Sequence, residues 1–307
     1  METIMERKKM ETITDRVSSI TSVNLNNISL PRSIKLELSE ICNHNCKYCV
    51  VPKHQYRKIF MSSDIFMASI EEMVRLGIKE LGLFHMGEGT LHPELLEMVD
   101  YARRRSKDFE MFITTNGTSM LQLKGLVDRN IKSIKFSLNG YDRDSHLEAT
   151  GVDDFELVMN NLEALVAYRN YIGSKTQISA SSIYYNNKKQ NIFADKVSRV
   201  VDKFYYTQLY NHAGKVDGKP VQLTNDIKIL PNLCSKPCFG LFNLGHIKVD
   251  GAINMCRFGV DEEFNIGYIE NGFDKAWFSE KAQEIRKRHL EDRIETCKQC
   301  LNFLNKA

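Results

Sequence analysis

The sequence predicts an α/β chain: a partial (β/α)6 barrel followed by a small α+β, cysteine-bearing domain. Three observations predict it. Between about residues 33 and 209, short apolar runs alternate with stretches whose apolar residues recur at helical spacing, giving six strands in strand-then-helix order. Such units pair in parallel through right-handed crossovers and close as an open or partial barrel, with ligands at the carboxyl ends of the strands. Second, the cysteines fall in two groups, Cys42, Cys46 and Cys49 near one end and Cys234, Cys238, Cys256, Cys297 and Cys300 near the other. Third, the helical period stops beyond Gly218, and Asp250-Gly251 between apolar residues signals a hairpin. The expected division is a leader at 1–31, the barrel at 32–218 and the second unit at 219–307.

Composition narrows the function classes. A hydrophobic share of 42% is ample for a core, and 42 basic against 39 acidic side chains leave a net charge of +3. That balance gives no field arguing for a nucleic-acid or membrane partner. No apolar run reaches membrane-spanning length, and the polar stretch from Met1 to Ser19 is unlike a signal peptide. The expectation is a cytoplasmic protein in a reducing compartment, where clustered cysteines mean metal or catalysis rather than disulfides.

Residues 1–31 lack a steady apolar period and read as a loose or partly helical leader. Ser33 to Ser39 alternates as the first strand. A cysteine-bearing loop runs on to about Phe60. Ser62 or Ser63 caps a helix whose apolar residues Ile65, Phe66, Ile70, Met73, Val74 and Leu76 share a face, and Gly77 stops it. The alternation then continues with a strand at 79–84, a helix at 93–104, a strand at 109–114, a helix at 118–129 and a strand at 131–138. A helix at 155–169, a strand at 176–184, a helix at 190–201 and a strand at 204–209 complete the set. Residues 220–233 read as a linker. Strands at 246–249 and 252–256 and a helix near 273–289 make up the second unit.

Cys42, Cys46 and Cys49, with gaps of three and then two residues, can point three thiolates at one centre and leave a fourth corner unfilled. An iron-sulfur cube held that way keeps one iron open to a ligand. Zinc remains an alternative on spacing, with His44 or a distant cysteine as the fourth ligand. Cys238, Cys256, Cys297 and Cys300 have 17, 40 and two residues between them and can close fully around a second centre, where zinc would serve equally well.

Several other candidates lie at strand ends. Gly87 and Gly89 bracket Glu88, a carboxylate able to pair with an ammonium group; a tight strand-to-helix turn is the bland reading of the same tract. Asn116 stands before Gly117 in a turn after the third strand. Ser137 and Asn139 end the fourth strand, and Ser179, Ser181 and Ser182 lie on the fifth. His212, after the sixth, is a candidate substrate contact, or a solvated loop histidine.

Cys-x3-Cys-x2-Cys with Tyr48 before the last cysteine, in a loop after the first strand, resembles the radical S-adenosylmethionine (SAM) enzymes. Gly87 and Glu88 resemble that family's Gly-Gly-Glu-Pro motif, which holds the amino group of the SAM methionine; Met86 and Gly89 depart from it. Leu91-His92-Pro93 matches the usual continuation. Asn116 resembles the family's Thr-Asn-Gly turn. Ser137 and Asn139 fall in a segment similar to Ser-Leu-Asp-Gly, whose serine approaches the SAM carboxylate and ribose. The second unit, through Cys238, Gly251, Cys256, Asn265-Ile266-Gly267, Cys297 and Cys300, resembles the twitch domain, a shortened SPASM domain that holds an auxiliary 4Fe-4S cluster.

The resemblance implies two 4Fe-4S clusters, SAM and a flavodoxin- or ferredoxin-type reductant. It implies reductive cleavage of SAM to a 5'-deoxyadenosyl radical that takes a hydrogen atom from a small polyol, amino sugar or related metabolite. Two-electron oxidation follows if the auxiliary cluster accepts the substrate's electron, as in aminocyclitol alcohol dehydrogenases. Epimerisation of a sugar or peptide residue follows if Cys234, left over from the seven ligands, returns a hydrogen atom; a spare structural cysteine or an alternative ligand is the plainer reading of Cys234. Ribosomal-peptide maturation is a further alternative, although the short leader leaves little room for a peptide-recognition domain. A two-cluster electron carrier or a zinc-binding protein without turnover would have no use for Gly87, Glu88 or Ser137 at strand ends.

Overall fold

The computed structural model describes residues 25, 27–53, 58–185, 187–207, 212, 215–216, 237–258 and 262–300. Most of the expected leader and linker, and Cys234, lie outside the described residues. The first six strands are β1 (Ser33–Leu36), β2 (Glu80–Gly82), β3 (Glu110–Thr115), β4 (Ser133–Ser137), β5 (Gln177–Ile183) and β6 (Lys203–Thr207). Between them run α1 (Ser63–Leu76), α2 (Leu95–Arg105), α3 (Met120–Asp128), α4 (Arg143–Thr150), α5 (Phe155–Tyr171) and α6 (Lys188–Ser198). All five neighbour pairings from β1 to β6 are parallel, as the alternating units require.

Local signals account for the helix ends. Ser62 Oγ accepts from Ile65 N–H at 3.3 Å, and Gly77 closes α1 at φ 70°, donating to the Met73 and Val74 carbonyls. There the left-handed backbone favours glycine. The short α4 has no long apolar face that would reveal it in the sequence. It is fixed instead by a capping box, Asp142 accepting from Ser145 N–H while the Ser145 hydroxyl accepts from Asp142 N–H, and by Gly151 at φ 73°.

Side-chain alternation gives the sheet two unlike faces. Ile34, Leu36, Leu81, Met111, Ile113, Ile134, Phe136, Ile178 and Ala180 are buried against Phe66, Ile70, Leu95, Leu123 and Leu162 of the covering helices. The intervening residues face the other way. One row, Thr114, Lys135, Ser179 and Lys203, is aligned strand to strand across β3 to β6.

The second unit does not stand apart as a separate layer. Helix α7 (Phe239–Asn243) leads into β7 (Leu244–Ile247), which pairs in parallel with β1, and β8 (Ala252–Asn254) and β9 (Asn265–Tyr268) follow antiparallel. The result is one nine-stranded sheet in the order β6-β5-β4-β3-β2-β1-β7-β8-β9. In place of one helix at 273–289 there are α8 (Phe273–Trp277) and α9 (Glu280–Leu290), with Ser279 capping α9, and then α10 (Glu295–Lys298). Contacts across the join are polar as well as apolar: Phe273 N–H donates to Glu72 Oε2 at 2.9 Å, and Trp277 Nε1 to the Ser29 carbonyl at 3.0 Å. Among the described residues no helix is long and apolar enough to cross a membrane.

The sheet is strongly curled. Lys135 on β4 lies within electrostatic reach of Arg257, just past β8, although five strand spacings separate the two strands in sheet order. Laid flat, those spacings would amount to about 24 Å.

Candidate functional site

The first cysteine loop is anchored at both ends and in its middle. At the entry, Glu40 N–H donates to the Ile59 carbonyl and Met61 N–H to that of Leu38, so the segment that leaves β1 is tied to the segment that returns to α1. In the middle, Asn45 and Lys47 N–H groups donate to the carbonyls of Thr150 and Ala149 at 2.8 and 3.1 Å, so the end of α4 carries the loop. His44 Nε2 lies 2.8 Å from Asp154 Oδ2, and His146 Nε2 lies 2.7 Å from Asp154 Oδ1. The imidazole that spacing left open as a zinc ligand is thus engaged with a carboxylate.

Cys42, Cys46 and Cys49 are partly buried and within electrostatic reach of one another. Burial, then the nearby Glu88 and Cys49, pushes the Cys42 thiol up to about 11, while hydrogen bonds from the His44 backbone and the Asn116 side chain act in the opposite direction. Burial and the other two cysteines push Cys46 up to about 12. Three thiolates so close repel one another, and a bound cationic centre removes that conflict. The donor set therefore fits an iron-sulfur cluster. Tyr48 is partly buried; the burial of its hydroxyl first, then the nearby Cys46 and Tyr185, holds it well above the ordinary tyrosine range.

Glu88 is buried beneath this loop. Its Oε1 accepts from Thr90 N–H, Thr90 Oγ1 and Thr115 Oγ1 at 3.1, 2.7 and 2.8 Å, and its Oε2 accepts from Asn116 N–H at 2.7 Å. A carboxylate held by four donors is fixed in place. Gly87 explains itself by packing: a Cβ there would lie 2.1 Å from the Ser39 carbonyl oxygen and 2.7 Å from that of Ile41. Gly87 and Glu88 donate their N–H groups to those same carbonyls. The close approach that glycine permits is therefore to the chain leading into Cys42. Asn116 Nδ2 donates to Asn43 Oδ1 at 2.7 Å, so the turn after β3 also reaches the cysteine loop.

Ser137 ends β4 opposite Ser181 on β5, both on the inner face with Lys135. The Asn139 carbonyl accepts from the Tyr185 hydroxyl at 3.1 Å. Ser182 is on the helix side and receives a hydrogen bond from Gln190 Nε2. His212, at φ 46°, packs its ring on Phe258 at 5.1 Å, which places it beside the second cysteine group.

In that group, Cys297 lies within electrostatic reach of Cys238, Cys256 and Cys300; burial first, then these three, pushes its thiol far above the ordinary range. The donor set again calls for a cationic centre. Cys238 N–H donates to His289 Nε2 at 3.0 Å, and Cys256 N–H to Asn254 Oδ1 at 2.8 Å.

No motif marked the groups between the two cysteine sets. His85 Nε2 lies 2.9 Å from the Arg257 carbonyl, one residue past Cys256, and its Nδ1 is 3.6 Å from Glu37 Oε1. The His85 and His246 rings are 4.8 Å apart. A signal was present: charged residues at alternate positions of an otherwise apolar strand, Lys35 and Glu37, point to a polar barrel interior.

Comparison with known proteins follows the same division. The profile of the Radical SAM superfamily matches residues 36–178, and the SPASM profile, an iron-sulfur cluster-binding domain, matches residues 238–301. The search of curated proteins finds no significant match. Among solved structures, BtrN in complex with AdoMet and 2-DOIA is 18% identical with a TM-score of 0.63, over 89% of this chain and 94% of that one. Streptococcus suis SuiB bound to precursor peptide SuiA is 16% identical with a TM-score of 0.65, over 85% of this chain and 68% of that one. Native anSMEcpe with bound AdoMet and the Cp18Cys peptide is 16% identical with a TM-score of 0.59, over 84% and 83%. At these identities the likeness is one of fold.

Proposed function

We propose, from the premise that this chain belongs to the radical SAM superfamily and ends in a SPASM domain, that it oxidises a small polyol, amino sugar or related metabolite by two electrons. Its cofactors are two 4Fe-4S clusters and SAM. Cys42, Cys46 and Cys49 would hold the first cluster and Cys238, Cys256, Cys297 and Cys300 the second. When bound, the first cluster supplies the electron that splits SAM into methionine and a 5'-deoxyadenosyl radical able to take a hydrogen atom from carbon.

The chain's own residues set the stage. Oε2 of Glu88 accepts a single hydrogen bond among the described residues, which leaves a lone pair for the SAM ammonium. Gly87 keeps the backbone of that motif against the cysteine loop. Ser137 at the end of β4 is assigned to the SAM carboxylate and ribose, with Asn116, Asn139 and Tyr48 around it, and His212 to the substrate or adenine. Four cysteines around the second centre use every corner of a cube, which suits an electron acceptor rather than a second SAM site.

The observation that carries the oxidation reading is the His85 to Arg257 hydrogen bond. It joins the residue two before Gly87 to the residue after Cys256. A substrate seated against His85 therefore has the SAM-side motif on one flank and the electron-accepting cysteines on the other. The BtrN structure, with AdoMet and the small molecule 2-DOIA bound and 94% of its length matched, supports a small substrate. A peptide substrate is the second reading, favoured by the peptides in the SuiB and anSMEcpe structures.

The test is anaerobic turnover of the reconstituted protein with SAM, dithionite and candidate polyols, amino sugars and peptides, followed by mass spectrometry. Oxidation predicts a product lighter by two hydrogen atoms, formed in step with 5'-deoxyadenosine. A product of unchanged mass in ordinary water that gains one deuterium in heavy water, a gain lost in Cys234→Ala, would replace oxidation by epimerisation.

A further inference from the structure

Asp154 stands at the N-cap of α5, the position where an aspartate normally accepts hydrogen bonds from the N–H groups of the first turn. Among the described residues its side chain makes no such bond. Asp142, at the N-cap of α4, does. Both oxygens of Asp154 are turned instead to imidazoles: Oδ2 lies 2.8 Å from His44 Nε2, and Oδ1 lies 2.7 Å from His146 Nε2. A carboxylate only accepts, so each ring donates from Nε2. The His44 and His146 side chains are 3% and 1% exposed and that of Asp154 is 12% exposed, so water competes little for these bonds.

The two rings belong to different parts of the chain. His146 is on α4, whereas His44 stands in the first cysteine loop, two residues from Cys42 and two from Cys46. The corner between α4 and α5 is itself fixed: Arg143 Nε donates to Asp153 Oδ1 at 2.8 Å, and Gly151 turns the chain at φ 73°. Gly151 is also where the corner meets the loop, since a Cβ there would lie 3.1 Å from the Asn45 carbonyl oxygen. Asn45 and Lys47 are held to α4 through backbone N–H groups, which any residue but proline would supply. The tie at His44 depends on the carboxylate. Three thiolates drawn together before a cluster arrives push the loop apart, and a loop pinned at its centre resists that.

We propose that Asp154 is a positioning residue for the first cluster: by pinning His44 to His146 of α4 it keeps the three-cysteine loop closed over the iron-sulfur centre. The proposal rests on the reading that Cys42, Cys46 and Cys49 hold that cluster, and it adds the residue that holds the loop. Asp154 acts through His44 and needs no contact with the cluster or with SAM. The side-chain nitrogen and oxygen atoms of His44, His146 and Asp154 all lie within 4.8 Å of one another, so a metal ion of their own is the rival use of the trio. The two short contacts favour the clamp, because they already pair each carboxylate oxygen with one Nε2.

Iron release to a chelator tests the clamp without requiring turnover, on the holoprotein loaded anaerobically with both clusters. The release phase missing from Cys46→Ala belongs to the first centre. Release requires the loop to open, so losing a hydrogen bond to a charged group should speed that phase about tenfold in Asp154→Asn, and as much in His44→Leu. The phase from the C-terminal cluster should keep its wild-type rate in both, which also reports that the variants fold; should Asp154→Asn not take up that cluster, His44→Leu carries the test. In the double variant the first phase should be no faster than in either single one, since both remove the same tie. A role confined to packing α4 on α5 would make the two effects multiply. Multiplying effects, a wild-type first phase in either single variant, or equal acceleration of both phases would overturn the proposal. So would zinc bound beside both clusters and lost in Asp154→Asn, which would make the trio a metal site. Two release phases in Cys46→Ala, with iron for both clusters, would overturn the cluster assignment and the proposal with it, so the two readings fail by different results.

Discussion

Glu88 and Asn116 are joined by a 2.7 Å hydrogen bond from the Asn116 backbone N–H to Glu88 Oε2, although they lie 28 positions apart and follow different strands. The Asn116 side chain continues the link to Asn43, next to Cys42. Three stretches that are separate in the sequence, the cysteine loop, the Gly87-Glu88 tract and the Asn116 turn, thus form one hydrogen-bonded unit. Changes in one should be felt in the others.

Glu88→Gln tests that unit. The substitution puts an NH2 among four donors, so at least one buried hydrogen bond to the former carboxylate is lost. Bonds to charged groups contribute about 1.5–3 kcal/mol each. The expected outcome is a loss of stability of that order, read from thermal unfolding under anaerobic conditions, together with a marked drop in 5'-deoxyadenosine formation. Unchanged stability would show that the carboxylate's charge is not what these donors require.

Gly87→Ala should act through the loop rather than through the pocket. The new methyl meets the Ser39 and Ile41 carbonyls, which are backbone and cannot swing away. Iron and sulfide analysis should show the cluster at Cys42, Cys46 and Cys49 depleted while the one at the C-terminal cysteines is retained.

Stability should fall on the acid side. Burial first, then His85, Lys35 and Arg257, holds the His246 pKa well below its ordinary value, and burial lowers that of His146. With the folded pKa below the unfolded one, protons bind the unfolded chain preferentially. Stability conferred by the neutral ring is complete above about pH 6.5 and is lost as the pH falls below it, by at most about 1.4 kcal/mol per unit for each such histidine. Thermal unfolding compared at pH 7.5 and about 5.5 checks this, and His246→Asn should flatten the difference. A wild-type curve flat over that range would contradict it.

Much of this was legible in the sequence, for physical reasons. The strand-helix alternation of the barrel and the cysteine spacings are local patterns, and Ser62, Gly77 and the Asp250-Gly251 turn act over a few residues. What stayed hidden depends on distant pairing. The joining of β7 to β1 converts an apparent appendage into the continuation of one sheet, and no local signal encodes which strand edge is free. Helix α4 is short and capped rather than amphipathic. His85 reaches the Arg257 carbonyl across the β2 and β8 ends, a proximity set by the curl of the sheet that no single segment reveals.

Cys297→Ser should separate the two centres. Cys297 lies among Cys238, Cys256 and Cys300, so its loss should remove iron from the C-terminal site alone. SAM cleavage should persist while oxidised product disappears, giving 5'-deoxyadenosine without substrate turnover. If SAM cleavage vanished as well, the division of labour between the centres would be wrong.

The most direct measurement of the central claim is 5'-deoxyadenosine release by anaerobically purified protein given dithionite and SAM, set beside elemental analysis of the same sample. Iron and sulfide sufficient for two 4Fe-4S clusters, with nucleoside formed by the wild type and absent in Cys46→Ala, is the predicted result. Zinc as the metal found, or nucleoside release untouched by Cys46→Ala, would contradict it.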